Sequence, residues 1–422
     1  MESQSVLRSA RPWASLSPDL LLDIAGRLHD ATDFVRFHAV CQPWRDTAAR
    51  AGATPRRRSH MFLPWLLSRY NGRITHSPVV YFGRVSSEPT LSDRHRSYNS
   101  IVLVEPGADG DRNWVAREDG GAAWLFFAGF EPTIQDVLTR AVTYLPRFPN
   151  DDNDGWIIRH RMRSPRGILY CDGTVFLYSF VAGTTNRRYG SYPPVFTAAI
   201  LRPGDAKWTL VQKLLDLPAS HHSCAAYHAG KVLVWVGAYF WCVLTPGFSK
   251  PANAGNTANI RLETTWDRLE DELYIRDRSY IFASRGELLR VSVLIERQQQ
   301  RGHDYGRDYP APTLALTVHA LEQGGDGGKM RWVERDDSGM DDRVMFLGSP
   351  ASFAMDATQL GLDGGCAYFT LRRRVFRYTF FDGEARPVDW LFPGWDSDKA
   401  CVWLRPEPKV VPNLGKSRKA RD

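Results

Sequence analysis

The order of apolar and polar residues divides the chain into a short helical start and a long strand-rich remainder. In the first predicted helix, four apolar residues lie three or four positions apart and form one face: Leu21, Ile24, Ala25 and Leu28. Ser17 is a suitable N-cap. Pro18 suits the first helical position, where its missing N–H would have no partner in any case. These features predict an amphipathic helix that starts at Pro18.

Two more short helices follow this one in the pattern. The second has Thr32 or Asp33 as its cap and carries Phe34 and Phe37 three positions apart, and the third begins at Pro43 and ends near residue 51. Helices of this length are marginal alone, because most helix stability in proteins comes from packing. Their large apolar side chains are more than so small a unit can bury. We therefore expect part of this surface to face a partner.

Beyond residue 58 the pattern changes to short apolar runs rich in Val, Ile, Tyr, Phe and Trp, separated by Gly, Asp, Pro and Asn. Strands are predicted, for example, at 123–128, 175–180, 232–236, 288–295 and 375–380. Asp172 and Gly173 predict a tight hairpin. A strand, a turn and a second strand with a tryptophan occur twice, at Trp208 and Trp332. Such degenerate hairpins favour a β-propeller, and a double β-sandwich is the alternative.

Composition narrows the class of protein. Hydrophobic residues make up 43% of the 422, and the six cysteines are scattered without a C-x-x-C pair, which is typical of a reducing compartment. The N-terminal segment lacks an apolar signal core, and the longest apolar run, 232–244, falls short of the roughly 18 residues of a membrane helix. We expect a cytoplasmic or nuclear protein with no membrane partner.

The net charge of +7 raises nucleic acid as a partner. The basic clusters at 56–58, 372–374 and 416–421 are short, however, and acidic groups lie between them. This distribution argues against nucleic-acid binding.

A set of residues at the start of the chain occurs in the order of a known motif: Leu16, Pro18, Leu21, Ile24, Leu28, Phe34, Val40, Cys41 and Trp44. This order, which ends in Val-Cys-x-x-Trp-Arg, resembles the F-box. The chain departs from the family at Ser17, where proline is usual. The resemblance implies that these residues dock a Skp-type adaptor and, through it, a cullin. The alternative is a helical bundle that packs only on its own β domain.

The second half resembles plant F-box proteins with a C-terminal KIB-type β-propeller. The resemblance rests on Met-Phe-Leu-Gly at 345–348, Ser-Phe-Ala-Met at 352–355 and Gly-Gly-Cys-Ala-Tyr-Phe-Thr at 364–370. It implies a small all-α F-box of three helices at 13–51, a linker at 52–61, an all-β propeller at 62–405 and a basic flexible tail at 406–422.

A search for catalytic chemistry gives no catalytic, cofactor-binding or metal-binding residues. The chain has no nucleophile elbow, phosphate loop or dinucleotide motif. His221, His222 and Cys224 are metal-ligand types, but a structural zinc site normally takes four ligands, and no second cluster accompanies them. The acidic stretch 336–342 is typical of an exposed turn rather than of paired catalytic carboxylates. We expect neither enzyme activity nor a cofactor.

The two resemblances imply a substrate-recognition subunit of an SCF-type (Skp–cullin–F-box) E3 ubiquitin ligase, whose propeller binds a target protein. Arg187 and Arg188 lie in a long polar insertion and are the candidate substrate contacts. Guanidinium groups bind acidic or phosphorylated segments bidentately. The alternative is a binding protein that sequesters or inhibits its target without ligase assembly. A propeller hydrolase is disfavoured because no catalytic constellation is found.

The predicted linker makes the two parts separable. Residues 52–58 are polar and include glycine and proline, as linkers do. We predict that a protein starting at Arg58 folds and keeps the β signal of the full chain in circular dichroism. A cooperative loss of that signal on deletion of residues 1–57 would show one inseparable domain.

Overall fold

The computed structural model describes residues 12–46, 64–78, 99–103, 112–148, 162–214, 223–245, 261–266, 273–297, 310–323, 330–335, 339–390 and 402–405, apart from one to three residues at points within these ranges. In this part of the chain, 3-10 turns span Pro12–Ser15 and Ala311–Thr313. The α-helices are α1 Pro18–Arg27, α2 Ala31–Ala39 and α3 Ala357–Leu360. Residues 42–44 are also helical. We call residues 12–46 the helical module.

Helix α1 confirms the first predicted helix. The Oγ of Ser17 accepts a hydrogen bond from the backbone N of Leu20 (3.4 Å), as an N-cap does. Leu21 and Ala25 are buried together with Phe37 of α2. The apolar face predicted from the spacing is therefore the face that packs inside the helical module.

Helix α2 covers the second predicted helix and begins at Ala31, just before the predicted cap. Helical residues 42–44 and 46 fall in the third predicted helix, and the observed helical segment begins one residue before Pro43. Residues 47–51 of that predicted helix, and the linker 52–61, lie outside the described residues.

The remainder of the described chain consists mainly of β-strands. These are β1 Trp65–Tyr70, β2 Arg73–Pro78, β3 Asn99–Leu103, β4 Arg112–Arg117, β5 Ala123–Phe127, β6 Thr133–Asp136, β7 Val142–Tyr144, β8 Arg166–Leu169, β9 Val175–Val181, β10 Thr185–Asn186, β11 Gly190–Ser191, β12 Val195–Leu201, β13 Thr209–Leu214, β14 Ser223–His228, β15 Lys231–Val236, β16 Phe240–Thr245, β17 Arg261–Trp266, β18 Tyr274–Ser284, β19 Glu287–Glu296, β20 Leu314–Gln323, β21 Met330–Glu334, β22 Arg343–Leu347, β23 Phe353–Asp356, β24 Cys366–Leu371, β25 Arg374–Thr379, β26 Glu384–Trp390 and β27 Val402–Leu404.

The strands form a series of mostly antiparallel sheets. Their orders are β27-β1-β2-β3, β13-β12-β9-β8-β4-β5-β6-β7, β14-β15-β16-β17, β18-β19-β20-β21 and β23-β22-β24-β25-β26, with a separate β10-β11 pair. The eight-stranded sheet consists of two four-stranded halves joined by the parallel pair of β4 and β8. Strands β22 and β24 are also parallel. Sheets built mainly from consecutive strands agree with the predicted hairpin repeats.

The predicted hairpin at Asp172 and Gly173 is confirmed. Gly173 has φ of 89°, which an L side chain rarely adopts, and its N–H donates to the carbonyl of Tyr170 (3.0 Å). The Oδ1 of Asp172 accepts a hydrogen bond from the N–H of Thr174 (2.7 Å). The local residue types therefore account for the reversal between β8 and β9.

The two ends of the β domain meet in one sheet. Strand β27 pairs antiparallel with β1, so that Leu404 lies opposite Trp65 and Val402 opposite Leu67. Between them, Trp403 is 1% exposed and its Nε1 donates to the carbonyl of Leu347 (3.0 Å). The chain is thus closed by contacts between its first and last described strands.

The segment 348–352, which joins β22 to β23, packs where several sheets meet. Ser352 Oγ accepts from the N–H of Gly348 (3.0 Å) and donates to the carbonyl of the same residue (2.9 Å). The carbonyl of Pro350 accepts from the N–H of Ala225 in β14 (3.3 Å). Ala351 is 4% exposed and packs in the core cluster that the first, the eight-stranded and the β14–β17 sheets share.

The closure of the domain predicts a large cost for removing one side chain. Trp403→Ala should lower the free energy of unfolding by about 3–5 kcal/mol, because it leaves a cavity and removes the hydrogen bond to the Leu347 carbonyl. Urea denaturation followed by circular dichroism measures this. Trp13→Ala is the control, since Trp13 is 63% exposed. Equal effects of the two substitutions would contradict the assigned role of Trp403.

Candidate docking and recognition surfaces

The nine motif residues are placed differently within the helical module. Leu21 is in its core, and four others pack partly buried against that core: Leu16, Ile24, Leu28 and Trp44. Pro18 and Val40 are exposed, and Cys41 is partly buried. The backbone of Phe34 lies in α2, but its side chain is outside the described part. The structure therefore brings together the spacing-defined residues, while Val40 points to solvent.

Large apolar side chains remain exposed on this small module. We define the apolar module surface as four residues with exposed fractions of 63%, 46%, 37% and 55%, respectively: Trp13, Leu20, Leu22 and Val40. Of these, sequence reasoning singled out Val40 alone. The signal for Leu20 and Leu22 was available, because both flank the buried Leu21 on a helix whose apolar face could not include all three.

One hydrogen bond ties the start of the helical module to its end. Trp44 Nε1 donates to the carbonyl of Trp13 (2.8 Å), and the Trp44 ring packs on Phe37 with a centroid distance of 4.7 Å. Trp44 thus supports the arrangement of the helices. It also holds the main chain beside the exposed Trp13 ring.

The predicted substrate contacts, Arg187 and Arg188, lie outside the described residues. The strands that flank this insertion are described, and Val181 at the end of β9 pairs with Val195 at the start of β12. Within the eight-stranded sheet, the pairing places the last residue of β7, the first of β8, the last of β9 and the first of β12 at the same end. The β6–β7 turn, at Asp136–Ala141, is at the opposite end.

The acidic stretch at 336–342 has the predicted exposure at its described aspartates, whereas Met340 between them and the masked part is 3% exposed and packs in the core. Asp341 and Asp342 are exposed, and Asp342 is paired with Arg285. The hydrogen bond from Arg285 lowers the pKa of Asp342 below its usual value. A carboxylate held ionised on the surface by an arginine does not act as a general acid at neutral pH. Residues 336–338 lie outside the described residues.

Cys224 is a buried structural thiol. Its Sγ accepts from the N–H of Ile281 (3.2 Å) and donates to the carbonyl of Ser279 (3.4 Å), which links β14 to β18. Burial raises the pKa of Cys224 to about 12. Among the described residues, no group of three or more His, Cys, Asp and Glu could hold a metal ion. His221 and His222 lie outside them.

The two repeat tryptophans have different surroundings. Trp208 is buried at 4% exposure, and its Nε1 donates to the carbonyl of Pro146 (2.7 Å). Trp332 is partly buried, with the guanidinium of Arg290 lying 5.1 Å from its ring centroid and 5.0 Å from that of Trp235. Sequence reasoning missed Arg290, although an arginine inside the apolar run 288–295 was a visible exception. Its place between two aromatic rings is a cation–π arrangement.

A protein-family description agrees with these sheets. The description "KIB1-4 beta-propeller" matches residues 91–403, which is most of the chain. It supports the propeller over the double sandwich. None of the curated proteins matches the chain.

Several solved structures have a weak likeness to the chain. A levansucrase complexed with sucrose has a TM-score of 0.28 and 9% identity, covering 68% of this chain and 87% of that chain. A GH43 protein from Bacillus licheniformis has a TM-score of 0.27 and 11% identity, and the match covers 74% of this chain and 58% of that chain. BamB from Moraxella catarrhalis has a TM-score of 0.25 and 12% identity, covering 77% and 96%. TM-scores this low support no argument on function.

The helices in the described ranges are all too short or too polar to cross a bilayer.

Cysteine burial predicts a clear order of thiol reactivity. Exposed Cys171 should react with a maleimide first, whereas Cys224 should react only after unfolding, because the thiolate is the reactive form and burial suppresses it. Burial keeps the Cys224 thiol neutral up to a pKa of about 12, whereas the unfolded chain ionises near the ordinary value of 9.0, so the fold should lose stability as the pH rises from 9.0 towards about 12. Peptide mapping after timed labelling measures the order, with Cys171→Ser as the control. Equal labelling rates in the folded protein would contradict the assignment.

Proposed function

Because the chain belongs to the KIB1-4 β-propeller family, we propose that it is the substrate-recognition subunit of an SCF-type E3 ubiquitin ligase. The helical module docks a Skp-type adaptor and, through it, a cullin. The β-propeller domain binds the target protein. Arg187 and Arg188 are the proposed target contacts. The subunit is non-catalytic and acts in the cytoplasm or the nucleus.

The observation that carries this proposal is the apolar module surface. Trp13, Leu20, Leu22 and Val40 are exposed on a module of short helices whose residue order resembles an F-box. Four large apolar side chains left exposed on so small a unit are candidates for a protein–protein contact. The β-propeller domain independently favours interaction with another protein.

The proposed mechanism is proximity. A target held by the β domain and a ubiquitin-loaded enzyme brought by the cullin are parts of one complex. The transfer then depends on a high effective concentration instead of a chance encounter. In this mechanism the chain needs no reacting group of its own.

The second candidate function is a binding protein that sequesters or inhibits its target without ligase assembly. It shares the β domain but makes no use of the apolar module surface. Capture of the adaptor therefore separates the two functions.

The sharpest test alters the surface and leaves the core of the module intact. Leu20→Asp combined with Val40→Asp should reduce capture of a purified Skp-type adaptor by at least tenfold, since charges would replace two apolar contacts. Ile24 and Trp44 are less suitable targets, because they pack against the core. A pull-down with the full chain measures the capture.

Leu273→Asp is the matched control, because Leu273 is 64% exposed and belongs to the β domain. It should leave adaptor capture unchanged. Wild-type capture by the double variant would refute docking through the apolar module surface. Absence of capture by the unaltered chain would favour the sequestering function.

A further inference from the structure

The helical module and the β domain are joined by a hydrogen bond at the β6–β7 turn. Arg36 of α2 donates from Nε to the main-chain carbonyl of Leu138 over 3.1 Å. The two residues are 102 positions apart in the chain. The contact therefore constrains the position of the helical module relative to the β domain, which the covalent chain alone does not do.

The acceptor side of this bond is rigid. Asp136 Oδ1 accepts from the N–H of Leu138 (2.9 Å), and from the N–H and Oγ1 of Thr139 (2.7 and 2.9 Å). The N–H of Asp136 also donates to the carbonyl of Ala141 (2.9 Å), which closes the turn. The Leu138 side chain is 4% exposed and packs in the main core cluster. The turn therefore presents the Leu138 carbonyl in one fixed place.

The donor side belongs to the helix that also completes the core of the module. Phe37 is 5% exposed and packs with Leu21 and Ala25. Its neighbour Arg36 faces the β domain and lies within 3.8 Å of Asp33 through Nη1. Adjacent residues of α2 thus contact two different parts of the protein.

We propose that Arg36 is a positioning residue that holds the helical module against the β6–β7 end of the eight-stranded sheet. Strand β9 ends at Val181 and β12 begins at Val195 at the other end of this sheet. A partner docked on the module is thereby kept at the end opposite Val181 and Val195, which border the insertion with Arg187 and Arg188 in the sequence. The consequence for ubiquitin transfer rests on the proposed function, whereas the positioning itself does not.

Loss of the Arg36–Leu138 hydrogen bond should measurably change the position of the helical module relative to the β domain. A charge-assisted hydrogen bond at a partly exposed site changes the population of the docked arrangement by about tenfold. Arg36→Ala should therefore free the module without unfolding it, because Phe37 keeps its core contacts. Arg36→Lys retains a charged donor and should restore part of the docked population.

Spin-label distances in the full chain test the proposal. One label is placed at Gly26→Cys, where a Cβ would meet nothing within 4 Å, and the other at Asp205→Cys, an exposed position in the β12–β13 turn. The background carries Cys171→Ser, Cys41→Ser and Cys401→Ser, which leaves the buried native thiols Cys224, Cys242 and Cys366. We expect one narrow distance in this background, a broad or shifted distribution with Arg36→Ala, and an intermediate result with Arg36→Lys.

Arg27→Ala is the matched control, because Arg27 is an exposed arginine of α1 whose partner is Asp23 within the module (3.0 Å). It should leave the distance distribution unchanged. An Arg36→Ala distribution identical to that of the background, or an equal change with Arg27→Ala, would overturn the proposal.

Adaptor capture by the same variants separates this inference from the proposed function. Arg36→Ala should still capture a purified Skp-type adaptor, because Arg36 is not part of the apolar module surface. If none of the proteins captures the adaptor but the distances change as expected, the proposed function fails and the positioning role of Arg36 stands.

Discussion

The main-chain carbonyl of Ser223 is the acceptor on which the centre of the β domain depends. It receives hydrogen bonds from Arg166 Nη1 (3.2 Å), Tyr178 Oη (3.3 Å) and Ser349 Oγ (2.6 Å). The donors come from β8, from β9 and from the segment 348–352, and the acceptor begins β14. A buried carbonyl without partners would cost about 1–3 kcal/mol, and three donors fix its position and theirs. Three distant stretches of chain are thereby brought to one point.

The contact at Ser223 gives a physical reason for the sequence motif at 345–348 and 352–355. Gly348 and Ser352 close a tight segment by bonding to one another, and that segment delivers Ser349 to Ser223. One residue before the segment, the carbonyl of Leu347 accepts from Trp403 of the closing strand. The motif therefore joins the contact at Ser223 to the closure of the domain. Its residues therefore serve the architecture of the β domain.

The parts of the fold that sequence predicts are those decided by neighbouring residues. Ser17 and Pro18 determine the start of α1, and Gly173 permits the reversal after β8. The Arg36–Leu138 contact could not be predicted in this way. Its acceptor is a main-chain carbonyl, which every residue possesses, so its choice depends on the three-dimensional placement of the turn and leaves no residue-type signal.

The candidate surfaces also have some features that the sequence predicts and others that it does not. The order of the motif residues identified the helical module. Within it, Leu21 is buried, whereas Leu20 and Leu22 are exposed to solvent. Helical spacing distinguishes these three positions by their angle around the axis, so this part was accessible from sequence. The place of Val181 and Val195 relative to the module was not, because it depends on the parallel pairing of β4 with β8 across a long separation.

The small core of the helical module links its stability to its surroundings. Leu21, Ala25 and Phe37 form that core, and short helices with so few buried side chains are only marginally stable alone. A partner that binds the folded module and not its unfolded form stabilises it by mass action. The Arg36–Leu138 bond acts in the same direction from within the chain, since it can form only when α2 is helical and the turn is in place. Docking to a partner and attachment to the β domain are therefore two contributions to one folding equilibrium, and each makes the other more favourable.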